Sequence, residues 1–318
     1  MRILYIGTGE IGLPALKWLL DSGHEIAAVI TQPDKPAGRR MELTAPPVKQ
    51  LAAERGARVF QPARLRAEES VALVKSLAAD LIVVMAYGQI LPKGVLDAAR
   101  IACLNLHASV LPRHRGAAPI QAAILSGDAE TGITVMYMDE GLDTGDILLV
   151  RRVPIGPEDT GGTLHDRLAE AAPVALAEAV ALLEAGKAPR TPQDEALATL
   201  TRKLKRDDGQ MRWERSSAEL ERHVRAMNPW PGAFTLLPDD GGRRMKIFAA
   251  KEDAGSSGAA GEVISLGPEG ILVGCGTGAL LLREMQLEGK RRMAAREFLA
   301  GTQIERGAIL GSSHASDS

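Results

Sequence analysis

The run Leu81-Ile82-Val83-Val84-Met85 carries no polar side chain, and Ile26-Ala27-Ala28-Val29-Ile30 is built the same way. Successive residues of a strand point to opposite faces, so runs of this kind are buried on both sides. A sheet covered on both sides needs helices on both sides. Strands are predicted over 2–6, 26–30, 81–85, 101–106, 132–138 and 147–153. Amphipathic helices are predicted over 11–21, 46–55, 68–78, 92–99, 117–126 and 163–186. Strands alternating with helices in this order predict a Rossmann-like, doubly wound α/β sheet spanning residues 1–189.

The pattern changes beyond that point. Pro189, Thr191, Pro192 and Gln193 have the composition of a linker, taken here as residues 190–207. Ser217 to Met227 then reads as one helix, with Ser216 or Ser217 at its N-cap. Short β-like runs follow at 233–237, 246–250, 261–265, 270–274 and 279–283, separated by glycine-rich turns. That spacing predicts a small barrel or sandwich over 208–310. The serine-rich segment 311–318 is expected to be a disordered tail. Two domains also suit a chain of 318 residues.

Charge and cysteine content narrow the partners. A formal net charge of -2 gives no overall attraction to polyanions, so any nucleic acid must be held by local basic patches. Cys103 and Cys275 lie in apolar surroundings and read as small buried hydrophobes in a reducing compartment. The apolar N-terminus ends at Gly7 after one short run, a first strand rather than a signal peptide. The expected location is cytoplasmic, with no membrane partner. No His, Cys or Asp spacing suggests a metal site.

Gly7-Thr8-Gly9-Glu10-Ile11-Gly12 fits the G-x-G-x-x-G pattern of a dinucleotide turn. That reading also wants an acidic residue at the end of the second strand to hold a ribose. Here the strand ends Ile30-Thr31-Gln32-Pro33-Asp34, and the acid is displaced past a proline. A tight strand-to-helix turn without a ligand is the competing reading.

A better candidate site is Asn105-Leu106-His107-Ala108-Ser109-Val110-Leu111-Pro112. Residues i and i+2 of a strand share a face, so Asn105 and His107 point into one cleft. Asp143, in Gly141-Leu142-Asp143-Thr144-Gly145-Asp146, lies between two strand-like runs that can bring it close. An amide donor, an imidazole and a carboxylate together suit acyl transfer to an amine. Asp146 reads as a turn residue, His114 as an exposed loop residue and His165 as a surface residue.

The chain resembles the folate-dependent formyltransferases over nearly its whole length. The motifs that carry this are Thr31-Gln32-Pro33-Asp34-Lys35-Pro36-Ala37-Gly38-Arg39, Ala86-Tyr87-Gly88-Gln89-Ile90-Leu91-Pro92, residues 105–116, residues 141–146 and Asn228-Pro229-Trp230-Pro231-Gly232. Residues 112–120, the Asn228 motif and a second β domain resemble the branch that formylates methionyl-tRNA. Gly9 stands where the family more often has proline, and Glu42 makes the loop after Ala37 less basic than in relatives.

The resemblance implies an OB-like barrel in the second domain and 10-formyltetrahydrofolate as formyl donor. It implies initiator methionyl-tRNA as acceptor, with the chain acting as a monomer. Asn105 would donate to the formyl oxygen and His107 would supply a second donor, held by Asp143. Asp143 would also relay the proton leaving the amine through a water. Tyr87, Gly88, Gln89, Ile90 and Leu91, with Ser109, Val110, Leu111 and Pro112, would line the folate pocket. Residues 208–318 hold 14 basic and 15 acidic side chains, so tRNA phosphates fall to clusters. These are Lys35, Arg39 and Arg40; Arg202, Lys203, Lys205 and Arg206; and Lys290, Arg291 and Arg292. Three rivals compete: a formyltransferase acting on a sugar nucleotide or another small amine, a nicotinamide-dependent oxidoreductase, and a non-catalytic nucleic-acid module.

Overall fold

The computed structural model describes residues 1–37, 41–238 and 242–311. They divide into two units. The first comprises residues 1–119, 129–155 and 164–202; the second comprises 120–128, 156–163 and the described residues from 203 onward.

In chain order the strands of the first unit are β1 (Arg2–Gly7), β2 (Glu25–Ile30), the hairpin of β3 (Lys35–Ala37) and β4 (Glu42–Thr44), and β5 (Val59–Phe60). They continue with β6 (Leu81–Met85), β7 (Ala102–His107), β8 (Arg115–Gly116), β9 (Glu130–Tyr137), β10 (Ile147–Pro154) and β11 (Leu200–Thr201). Seven of them form one sheet in the order β10-β9-β7-β6-β1-β2-β5. Both alternating sets of side chains on β1 and β6 are buried, as the absence of polar residues requires: Ile3, Leu4, Tyr5 and Ile6 are fully inaccessible, as are Leu81, Ile82 and Val83. Strands β5, β2, β1, β6 and β7 run parallel. The order reverses at β1, and sheets of this kind bind ligands outside the carboxyl ends of the strands at such a reversal.

Strand β9 runs antiparallel to β7. Strand β10 runs antiparallel to β9, because residues 138–146 are too few for the crossover of a dozen or more that a parallel pair needs. One helix differs from expectation: that expected over 92–99 spans only Lys93–Leu96. It closes there because Arg100 and Ile101 donate their N–H groups to the carbonyls of Ala79 and Asp80, aligning the chain for β7. Residues 190–202 cluster with the first unit. There β11 pairs in parallel with β8, and Thr191 exchanges both backbone hydrogen bonds with Ile147.

The glycine fingerprint has a packing explanation. The Tyr5 hydroxyl donates to the Gly12 carbonyl at 3.1 Å, and a Cβ on Gly12 would lie 2.2 Å from the Tyr5 hydroxyl oxygen. A Cβ on Gly7 would meet Tyr5 and the Met85 carbonyl at 2.7 Å. These glycines make room for a buried tyrosine under the first turn. Gly12→Ala is therefore expected to destabilise the fold by about 1–3 kcal/mol, the usual cost of overpacking. Urea unfolding measures this, and parental stability would show that Tyr5 moves aside at no cost.

The second unit is antiparallel. Its helix Ser217–Met227 is closed by a capping box: the Ser216 hydroxyl accepts from the Glu219 N–H, and the Glu219 carboxylate accepts from the Ser216 N–H. The motif at 228–232 then turns the chain into β12 (Ala233–Leu236). The remaining strands are β13 (Arg244–Asp253), β14 (Val263–Gly267), β15 (Gly270–Gly274), β16 (Ala279–Leu287) and β17 (Met293–Ala294). The sheet order is β12-β13-β16-β15-β14, with β17 added beside β16. Residues 307–311 bridge its two edges, with backbone bonds to Val263 and Gly261 on one side and to Leu236 on the other. This tie closes the sheet toward the expected small barrel. Of the segment expected to be a tail, residues 312–318 lie outside the described residues.

Both cysteines are buried and unpaired, and burial pushes their thiols up to about 12. They fill space, as expected.

Candidate active site

Alternation along β7 puts Asn105 and His107 on one face of the strand, and the β9–β10 loop brings Asp143 to both. The Asn105 amide Nδ2 donates to Asp143 Oδ1 at 3.3 Å, and His107 Nδ1 lies 3.6 Å from Asp143 Oδ2. The same Oδ2 accepts the Gly116 N–H at 2.8 Å. His107 Nε2 faces the His114 carbonyl at 3.0 Å, so that nitrogen carries a proton and donates it. His107 is buried at 6% exposure, and the Asp143 side chain keeps 14%. A proton on Nδ1 makes the contact with Asp143 an ion pair; without it, two acceptors face one another.

Asp143 has φ +54°, in the left-handed region that Asp adopts more readily than most residues. Its conformation is tied from outside the loop. The Gln193 amide Nε2 donates to the carbonyls of Asp143 at 2.9 Å and Gly145 at 2.8 Å. Gln193 Oε1 accepts from Arg115 Nε at 3.1 Å and Nη2 at 2.8 Å. Arg115 is itself buried and makes a two-pronged pair with Glu195 at 2.7 and 2.9 Å. That pair raises the Arg115 guanidinium and holds the Glu195 carboxyl below its ordinary value.

The segment carrying Arg115 is stitched to residues 199–201. His114 N–H donates to the Thr199 hydroxyl at 2.8 Å, and Arg115 N–H to the Thr199 carbonyl at 2.9 Å. Ala118 N–H donates to the Thr201 hydroxyl at 3.1 Å. His114, expected on an exposed loop, is buried here because these bonds draw it inward. His165 remains at the surface, 2.9 Å from Asp166.

A cavity of about 670 Å³ opens beside the Asp143 loop. Leu96, Ile101, Cys103, Tyr137 and Met138 contribute to its wall, and Lys93, Asp97, Asp139, Glu140 and Arg190 its polar groups. The Arg190 guanidinium lies over the Tyr137 ring at 3.6 Å.

The residues expected to line a folate pocket are anchored mainly through their side chains. Tyr87 and Leu91 belong to the core, and burial pushes the unpartnered Tyr87 hydroxyl up to about 12. The Tyr87 carbonyl accepts from Gln32, close to Gly88, which has φ +79°. Gln89 accepts the Leu65 N–H, while Ile90 is 87% exposed. The Ser109 hydroxyl donates to the Arg113 carbonyl at 2.6 Å, and Leu111 N–H donates to the Thr134 hydroxyl. Val110 and Pro112 offer their carbonyls to Arg113 and Thr199.

Among the basic candidates, Lys35 and Arg202 are exposed in the first unit and Lys203, Lys205 and Arg206 in the second. Arg39 and Arg40 lie outside the described residues. Lys290 is exposed, whereas Arg291 and Arg292 are paired with Glu297 and Glu284. Among the described residues, no group of three or more His, Cys, Asp or Glu could hold a metal ion.

The model of the Formyl transferase family matches residues 1–180, and that of the formyl transferase C-terminal domain matches 203–303. The chain belongs to the formyl transferase family. Within it, the methionyl-tRNA formyltransferase of Geobacter sulfurreducens is 47% identical over 98% of this chain and 97% of its own length. The methionyl-tRNA formyltransferase of Geotalea uraniireducens is 49% identical over 98% of both. Among solved structures, HypX from Aquifex aeolicus in complex with tetrahydrofolic acid aligns with 94% of this chain and 47% of that one, at TM-score 0.61 and 20% identity. The sugar 3N-formyl transferase WlaRD aligns with 92% of this chain and 99% of its own, at TM-score 0.65 and 16% identity. These two likenesses concern the fold.

Proposed function

We propose that this chain transfers the formyl group of 10-formyltetrahydrofolate to the α-amino group of the methionine carried by initiator tRNA. The meeting of Asn105, His107 and Asp143 around one point carries the reading, and the full-length relatives named methionyl-tRNA formyltransferase support the choice of acceptor. The cavity beside the loop has the size of a cofactor site, and its lining mixes apolar side chains with charged ones. When bound, the folate supplies an electrophilic formyl carbon. The exposed Ile90 and the backbone of Tyr87 to Leu91 and Ser109 to Pro112 would hold its other faces.

Asn105 has two amide hydrogens, and Asp143 takes one. The second is available to the carbonyl oxygen as negative charge develops there, an effect worth about 3–4 kcal/mol in comparable oxyanion sites. Asp143 faces the amine nitrogen as positive charge develops and takes its proton. The bond between the formyl carbon and the folate nitrogen breaks, and that proton, relayed through a water, goes to the departing nitrogen as tetrahydrofolate leaves. His107 reaches the same oxygen only by giving up the His114 carbonyl; in the geometry described it orients Asp143.

We read the enzyme as a cytoplasmic monomer. Among the described residues no helix is long and apolar enough to cross a membrane. The test is incubation of purified protein with formyl-folate and charged initiator tRNA, scoring formylmethionyl ester by mass. Elongator methionyl-tRNA and an amino-sugar nucleotide serve as comparison acceptors. Formylation of the sugar alone would overturn the reading.

Lys35, Arg39, Arg40, Arg202, Lys203, Lys205 and Arg206 are the proposed phosphate contacts. Binding of tRNA should then weaken steeply with salt, each contact adding about 0.9 to the log–log slope where the acceptor stem is duplex. A flat titration would point to a small amine acceptor.

A further inference from the structure

We propose that Gln193 is a positioning residue that aims the Asp143 carboxylate. This rests on Asp143 acting in formyl transfer, as argued above. Gln193 follows the helix Gly161–Glu184 in a segment with the composition of a linker, yet it is half-buried and uses both ends of its amide. Arg115 presents N–H donors to one end, so that end must be the oxygen. The other end is therefore the NH2 group, and its two hydrogens reach the carbonyls of Asp143 and Gly145. Arg115 is fixed in turn by Glu195.

An amide is required because the residue must accept on one side and donate twice on the other. Asp143 needs the restraint because its backbone sits at φ +54°, a conformation that non-glycine residues hold only when their surroundings fix it. Two bonds flanking this residue hold the loop in that state. They keep Oδ1 within reach of Asn105 and Oδ2 against Gly116 and His107. Without them the loop can relax and swing the carboxylate away.

The test compares Gln193→Ala, Gln193→Glu and Asp143→Ala with the parent, measuring kcat, both KM values and thermal midpoint. Gln193→Ala should lower kcat by about 10- to 100-fold, the effect of misplacing a catalytic group by roughly 1 Å. Both KM values should stay within about twofold and the midpoint near the parent's, since the residue is expected to shape turnover rather than binding. Gln193→Glu should be worse than Ala: it keeps an acceptor for Arg115 but sets a charged oxygen against two carbonyls. If Gln193 served only to brace Arg115, Glu would restore activity above Ala, and the proposal would fail. It also fails if Gln193→Ala turns over within about twofold of the parent while Asp143→Ala is inactive; the catalytic reading then survives. Activity retained by Asp143→Ala would instead remove that reading.

Discussion

Asp143→Ala is expected to reduce turnover by roughly 10³-fold or more with both substrates saturating, while the protein still folds. The size follows from what the side chain does at once. In the proposed function it would face the charge growing on the attacking nitrogen and offer a route for its proton, and it holds Asn105 and His107 from either oxygen. Loss of stability should be small by comparison. The Gly116 N–H loses its acceptor, a change worth about 1–3 kcal/mol, and alanine accommodates φ +54° less well than Asp. Both costs fall at a loop away from the core. Asp143→Asn separates charge from shape, since Asn tolerates the same backbone and fills the same space. Its single amide oxygen leaves either Asn105 or the Gly116 N–H without an acceptor, so stability should fall by about 1–3 kcal/mol while most of the turnover is lost. Near-parental kcat in either purified variant would remove Asp143 from the chemistry.

The sheet was legible because its pattern is local. Runs such as 81–85 declare two buried faces in five consecutive residues, and period-two spacing places Asn105 beside His107 without reference to anything distant. The Asp143 loop could be found because short strands flank it. Arg115, Gln193 and Glu195 left no comparable trace. Their contacts join residues nearly 80 positions apart, and a proline-flanked polar stretch looks the same whether it is solvated or pinned to a sheet. The side chains of 87–91 show a related degeneracy. Apolar side chains after a strand suit a ligand site and a core equally, and only packing reveals that those of Tyr87 and Leu91 belong to the core, leaving the backbone of the segment for a ligand. The glycine fingerprint shows the same degeneracy: room for a buried tyrosine and room for a pyrophosphate both demand a missing Cβ.

Asn105→Ala is expected to cost about 10²- to 10³-fold in kcat, the usual effect of deleting one preorganised donor to an oxyanion. The donor is useful only as charge develops on the carbonyl oxygen, so kcat and kcat/KM should fall together and KM should change little. The half-buried Asn105 gives up one hydrogen bond, at 3.3 Å, so unfolding should shift by little more than about 1 kcal/mol. Asn105→Asp is the sharper probe. Its carboxylate is close in size to the amide but would face Asp143 across the same short distance, repelling it and offering no donor. Its turnover should lie below that of the alanine variant. Because Asn105 and Asp143 touch, their losses should be less than additive, the double alanine variant falling little below Asp143→Ala alone. Strict additivity would mean that the two side chains act on separate events. A raised KM with unchanged kcat would assign Asn105 to binding.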